Sequence, residues 1–112
     1  MASSLDNVLS EITDDSVKQA KQQFQDLLQQ AKGDSSEFAR QNAALLEGAI
    51  VDLRNGEIDQ DDFNLFIEEQ RAAAEQFVST QAIAGQARAR ELTLTVLDIA
   101  AKKIAPVVIA AI

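Results

Sequence analysis

The chain has 112 residues, 46% of them hydrophobic and 4% aromatic, which is long enough for one domain with its own core. It has neither Cys nor His, which excludes disulfides and removes the side chains that most often transfer protons near neutral pH or bind transition metals. The net charge of −8 argues against nucleic acid as a partner, because phosphate contacts require Lys and Arg.

Nineteen Ala, twelve Gln, four Gly and one Pro predict helix, since Ala and unbranched side chains lose little freedom in a helix. We expect an all-α fold, a bundle or extended hairpin of three or four helices with a long C-terminal helix, as a single helical domain, 1–112. Residues 1–6 lack the basic and apolar stretches of a secretory signal, so the default expectation is a cytoplasmic location.

The first helix is predicted to begin near Ser3 or Ser4 and to end at Lys32, followed by Gly33 in the left-handed conformation. Residues 13–16 either cap a fresh helix start or lie on the solvent face of one continuous helix. Glutamines within 19–30 indicate a solvent-exposed face. Apolar residues recur at helical spacing, namely Leu5, Val8, Leu9, Ile12, Val17, Ala20, Phe24, Leu27, Leu28 and Ala31.

The second helix is predicted to start at the capping box Asp34-Ser35-Ser36-Glu37, with Asp34 as N-cap, and to end at Asn55-Gly56. The third helix starts after Asp59, because acids in a first turn complement the helix dipole. The apolar stripes of these two helices are Phe38, Leu45, Leu46, Ala49, Ile50 and Leu53, and then Phe63, Phe66, Ile67, Ala74, Phe77 and Val78.

After Val78 the sequence contains no firm helix stop. An unbroken helix from Asp59 to Ala105 would be about 70 Å long, too long for a compact chain of this size. The helix therefore either breaks near Ser79–Gly85 and folds back, or projects and pairs with other chains. Pro106 predicts an end or a kink.

Residues 55–63 look like the second half of an EF-hand calcium loop, but Val51 and Leu53 would occupy the first and third ligand positions and carry no side-chain oxygen. We interpret the segment as a corner between helices. The carboxylates of residues 59–69 are interpreted as a solvated face, because nothing predicts their burial. We therefore expect no catalytic residue, no metal and no cofactor, and we predict that the protein is not an enzyme.

Residues 57–75 hold seven acids and one base, and residues 76–112 hold two acids and four bases. Arg88 and Arg90 are expected to pair with acids of 57–75, within the chain or between copies. Asp98 and Lys102 are spaced i, i+4, which favours an ion pair within the helix.

Residues 92–112 form an apolar run interrupted only by Asp98, Lys102 and Lys103. Such a surface is rarely left in water. Ten Leu, Ile and Val favour membrane insertion by about 0.3 to 0.6 kcal/mol each, but the three charges oppose it by about 2.5 to 3.5 kcal/mol each. We rank burial between subunits first, burial within the chain second and contact with lipid third.

We therefore expect a non-enzymatic assembly or structural protein that forms homo-oligomers or binds a protein partner through its apolar C-terminal segment, 86–112. The alternative is a membrane-active protein whose C-terminal segment enters lipid as an oligomer. The small, acidic, helical chain with its Gly-Glu-Ile-Asp corner resembles bacterial and phage proteins in general appearance, which implies no particular activity. The predicted interface residues are Leu92, Val96, Leu97, Ile99, Ile104, Val107, Val108 and Ile109.

Overall fold

The computed structural model describes residues 4–13, 15–34, 36–79 and 84–111, and over these ranges the chain forms helices and no strand. The all-α prediction is confirmed. The helices are α1 (Ser4–Ser10), α2 (Lys18–Lys32), α3 (Glu37–Arg54), α4 (Gln60–Ser79), α5 (Ala84–Ile99) and α6 (Ala105–Ala111). A 3-10 turn covers Asp15–Val17, and a π-helical segment covers Ala100–Ile104.

The chain is compact, with a radius of gyration of 13.8 Å. A compact chain of this length is expected to have a radius of about 13 Å. The longest dimension is 42 Å, which leaves no room for a projecting helix of 70 Å. Instead, α4 and α5 pack against each other, and Arg71 of α4 forms an ion pair with Asp98 of α5. The chain therefore folds back, although residues 80–83 of the predicted break lie outside the described residues.

The N-terminal segment forms two helices, so residues 13–16 precede a fresh helix start rather than continuing α1. Asp14 lies outside the described residues. The first four apolar residues of the predicted helix are all buried, namely Leu5, Val8, Leu9 and Ile12, and α1 packs against α3. The ammonium of Lys21 donates to the carbonyl oxygen of Ile12 at 3.2 Å, which satisfies a backbone acceptor just after α1.

A side-chain ion pair also holds this segment on α3. The guanidinium Nε of Arg54 lies 2.6 Å from a carboxylate oxygen of Glu11. The hydrogen bond from Arg54 to Glu11, together with the negative charge of Glu11, raises the pKa of Arg54 above its usual value. The contribution of Arg54 to stability is therefore present at neutral pH and is lost only as the pH rises through that raised pKa.

Helix ends follow the predicted signals in part. Gly33 has a φ of −99°, so the predicted left-handed conformation is wrong there, whereas Gly56 after α3 has a φ of 76°. This left-handed conformation favours glycine at position 56, because residues with a Cβ rarely adopt it.

The N-cap of α3 is Ser36 and not Asp34: the Ser36 hydroxyl accepts from the N–H of Ala39 at 3.5 Å. Ser35 lies outside the described residues.

The predicted start of α4 is confirmed by a reciprocal cap. The Asp59 carboxylate accepts from the N–H of Asp62 at 2.8 Å, and the Asp62 carboxylate accepts from the N–H of Asp59 at 3.3 Å. Both bonds satisfy backbone donors that a helix start leaves without partners.

The C-terminal helix is interrupted rather than continuous. In the π-helical segment the N–H of Ala105 donates to the carbonyl of Ala100, one residue further back than in an α-helix. Pro106 follows as the second residue of α6, so it neither ends the helical run nor lies in a regular α-helical interior. A wider turn before proline relieves the clash between its ring and the preceding carbonyl groups.

The core is assembled from every described helix. Helix α5 contacts α2, α3 and α4, and α6 contacts α3. Phe24 and Phe63 are fully buried, and Phe66 and Phe38 are partly buried. The side chains of Phe77 and Val78 lie outside the described residues. The prediction that Leu45 lies in the core is wrong, because its side chain is 54% exposed, whereas the neighbouring Leu46 is buried.

Candidate functional site: the C-terminal segment

The eight predicted interface residues divide into two groups of four. Val96, Leu97, Ile104 and Val108 have relative exposures of 1% or less and lie in the core. Leu92, Ile99, Val107 and Ile109 are partly buried and pack against that core. The apolar segment is thus covered to a large extent by the chain's own helices, which corresponds to burial within the chain.

This arrangement limits which residues another copy can reach. The four buried residues cannot contact a second chain while the fold is intact, so the predicted mechanism of burying them between copies requires correction. Their side chains face inward because α5 is surrounded by α2, α3 and α4, and because α6 turns its buried edge towards α3. A contact between copies is left with Leu92, Ile99, Val107 and Ile109.

The charged residues of the segment have different partners from those predicted. Asp98 pairs with Arg71 of α4 and not with Lys102. Lys102 and Lys103 are exposed in the π-helical segment. The side chain of Asp98 therefore joins α5 to α4, and the two lysines remain at the surface.

Arg88 and Arg90 do not pair with the acids of residues 57–75. A guanidinium nitrogen of Arg88 lies 3.0 Å from a carboxylate oxygen of Asp34, and Arg90 lies 2.8 Å from Glu91. The side chain of Asp34 is only 2% exposed, and its other oxygen accepts from the N–H of Ser36 at 2.8 Å. Asp34 thus connects the α2–α3 junction to the start of α5.

Sequence reasoning missed three buried polar residues among those described, namely Asp34, Asn42 and Thr93. Asp34 carries a helix-start signal, and nothing local indicates that its partner is Arg88. Asn42 of α3 is also buried, and its amide donates to the Gln70 side chain of α4 at 2.6 Å. Asn42 lies at helical spacing from the apolar residues Ala39, Ala43 and Leu46. This spacing is the signal that could have predicted its burial.

The acidic residues of α4 form a solvated face. Asp61, Asp62, Glu68, Glu69 and Glu75 are all exposed. The predicted solvated face is thus found at the acids of residues 59–69, which are all exposed.

The EF-hand-like corner does not bring together a set of calcium ligands. In α3, Leu53 is buried in the core and Val51 packs against the core, so both side chains contribute to hydrophobic packing. Over the described ranges, no group of three or more acidic side chains is arranged to hold a metal ion.

A cavity of about 200 Å³ lies between α1, α2 and α3. Lys32 and Glu47, whose side chains form an ion pair at 2.6 Å, are among its lining residues. Sites for small molecules usually enclose about 300 to 1,000 Å³ and are mostly apolar. We therefore regard the C-terminal segment, and not this cavity, as the candidate site.

Comparison with known proteins assigns no family: no protein-family model matches the chain, and neither a curated protein nor a solved structure is significantly similar to it. Among the described residues, no helix combines the length and the apolar character needed to span a membrane.

Proposed function

We propose that this protein is a non-enzymatic helical assembly protein that self-associates, or binds a protein partner, through segment 86–112. The observation that carries the proposal is that several apolar residues of this segment stay partly exposed after the chain has folded, among them Leu92, Ile99, Val107 and Ile109. Burying them against another chain would add to the hydrophobic stabilisation that each copy already has.

The surrounding fold is suited to presenting such a surface. We infer that α2, α3, α4 and α5 form a bundle in which α5 is held by packing against the other three helices, and the ion pairs of Arg88 with Asp34 and of Arg71 with Asp98 lie at its contacts. An interface on a packed helix loses less conformational freedom on association than one on a mobile segment.

Light scattering over a range of concentrations tests self-association. We expect the full chain to exceed the monomer mass and the double variant Ile99→Gln/Ile109→Gln to shift towards monomer. The matched control is Leu45→Gln/Leu65→Gln, because these leucines are 54% and 55% exposed but lie outside the segment. Circular dichroism should show that both variants keep their helix content. A full chain that is monomeric at every concentration contradicts self-association, and dissociation of the control variant alone contradicts the choice of segment.

The membrane-active alternative is separated from assembly by liposome flotation. We expect the full chain to remain with the unbound fraction when mixed with vesicles of neutral or anionic lipid. Stable flotation that is lost in Ile99→Gln/Ile109→Gln would favour lipid as the partner of this segment.

A further inference from the structure

The seam between α2 and α5 is a surface on which both helices leave apolar side chains partly exposed. In α2 these are Ala20 and Leu27, and on one side of α5 they are Leu92 and Ile99. Ala87 and Leu94 of α5 are also partly exposed, but they lie on the opposite side of that helix. Each pair is spaced by seven residues, which is two helical turns, so each lies along one edge of its helix.

The ion pair between Arg88 and Asp34 identifies the α5 edge that faces α2. Arg88 lies four residues before Leu92 and therefore on the same side of α5. Its guanidinium contacts Asp34 just beyond the end of α2, and the π-helical segment after α5 packs against α2 as well. The two helices thus run antiparallel, which places Leu27 near the level of Leu92 and Ala20 near that of Ile99.

The polar surface beside this seam carries few charges, and they are of both signs: Asp26 of α2, and Lys102 and Lys103, which follow Ile99. Six glutamines occupy α2, and Gln19, Gln23 and Gln30 are exposed. The one acid of α2, Asp26, accepts a hydrogen bond from Gln22 at 3.1 Å. At the α5 edge, Arg88 is paired with Asp34 and Glu91 with Arg90.

The surface of α4 has the opposite character. It carries five exposed acids, and its only base, Arg71, is paired with Asp98. Each copy has a net charge of −8, so two copies that met through α4 would bring like charges together. A second copy therefore meets less repulsion at the α2–α5 seam than at the surface of α4.

Glutamine also suits a contact between identical surfaces. A two-fold axis places residues of one copy against the same patch of the other. A primary amide both donates and accepts hydrogen bonds, so Gln can pair with Gln, whereas a carboxylate at neutral pH can only accept.

We propose that a second copy of this chain docks on the α2–α5 seam in a two-fold contact, with Leu27, Leu92 and Ile99 at its centre and Gln19, Gln23 and Gln30 beside them. This inference rests on the proposed function, self-association, and names the surface that performs it. It adds α2, outside the C-terminal segment, to the interface.

Sedimentation equilibrium of charge variants tests the seam. Gln23→Glu/Gln30→Glu adds two negative charges per copy beside the seam, and Gln60→Glu/Asn64→Asp adds the same charge to exposed positions of α4. We expect the first variant to raise the dimer dissociation constant at least tenfold and the second to change it less than about twofold. All four positions are exposed, so both variants should keep the helix content of the wild type.

The outcomes separate the two proposals. A wild-type chain that is monomeric up to millimolar concentration overturns self-association, and the seam with it. A wild-type oligomer that is equally sensitive to both variants, or insensitive to the first, overturns the seam alone.

A second measurement uses the lack of native Cys in the chain. Under mild oxidation, Gln23→Cys should form a covalent dimer faster than Asn64→Cys, because a residue close to a two-fold axis lies near its own copy. Faster dimer formation by Asn64→Cys would place the contact on α4 and overturn the proposal.

Discussion

At the scale of single residues, Asp34 is a charged residue in a buried environment. Its carboxylate is 2% exposed, accepts from the Ser36 N–H and pairs with Arg88, while its own carbonyl oxygen accepts from Arg40 at 2.7 Å. A buried carboxylate is tolerated only when its oxygens have partners. The side chain of Asp34 therefore contributes to the stability of the α2–α3 junction.

We expect Asp34→Ala to lower the free energy of unfolding by about 2 kcal/mol, because a hydrogen bond to a charged group is lost and the Ser36 N–H loses its acceptor. Asp34→Asn should cost less, since the amide oxygen can still accept from Ser36. It loses only the ion pair with Arg88, whose side chain is 63% exposed and whose contribution is therefore small. Urea denaturation measures both values.

The control for this prediction is Asp26→Ala, because Asp26 is exposed and its carboxylate accepts from Gln22. We expect a change of less than about 0.5 kcal/mol there. Equal losses for Asp34→Asn and Asp34→Ala would show instead that the charge, and not the hydrogen bond to Ser36, is the larger contribution.

At the scale of elements, the π-helical segment and Pro106 belong together. A π-turn is an α-helix with one residue inserted, so it changes the path of the helix and supplies the space that a proline ring requires. After the insertion, Val108 is buried and Pro106 is exposed.

Deletion of the exposed Lys102 should therefore remove the inserted residue while keeping Val108 on its buried side. The deletion alone places Pro106 in a regular helix, and we expect a loss of about 3 kcal/mol or more. Combining the deletion with Pro106→Ala should recover most of that loss. Thermal or urea unfolding of the wild type, the two single variants and the double variant measures the coupling. Additive effects would show that the core, and not the proline, requires the π-turn.

At the scale of the whole molecule, charge decides how two copies meet. The acids of α4 are exposed together, and each chain carries a net charge of −8. If association buries the apolar seam, the charges of the two copies oppose it. If the acidic middle of one copy pairs with the basic residues of another, the charges drive it.

The two possibilities predict opposite effects of salt. For association through the seam, we expect the dimer dissociation constant to fall as sodium chloride is raised from about 20 to 500 mM, because the screening length shortens to well below 10 Å. Analytical ultracentrifugation at fixed pH measures it. A dissociation constant that rises with salt would favour pairing of opposite charges between copies.

The helical class and several helix ends could be predicted from the sequence, because those signals are local. The reciprocal cap of Asp59 and Asp62 and the glycine after α3 depend on residues within one turn of each other. The apolar period also placed Leu5, Val8, Leu9 and Ile12 correctly in the core. Local signals failed where two were close together, so that Ser36 rather than Asp34 became the N-cap.

Which side chains form pairs between helices could not be predicted, because it depends on how the helices pack. The pairs Arg88–Asp34 and Arg71–Asp98 join residues on different helices, and no spacing along one helix indicates them. Periodicity likewise could not tell that Leu46 faces the core while Leu45 faces solvent, since both flank the same stripe. The burial of the C-terminal segment could not be predicted for the same reason. It depends on how α2, α3 and α4 surround α5, which is a property of packing between distant residues.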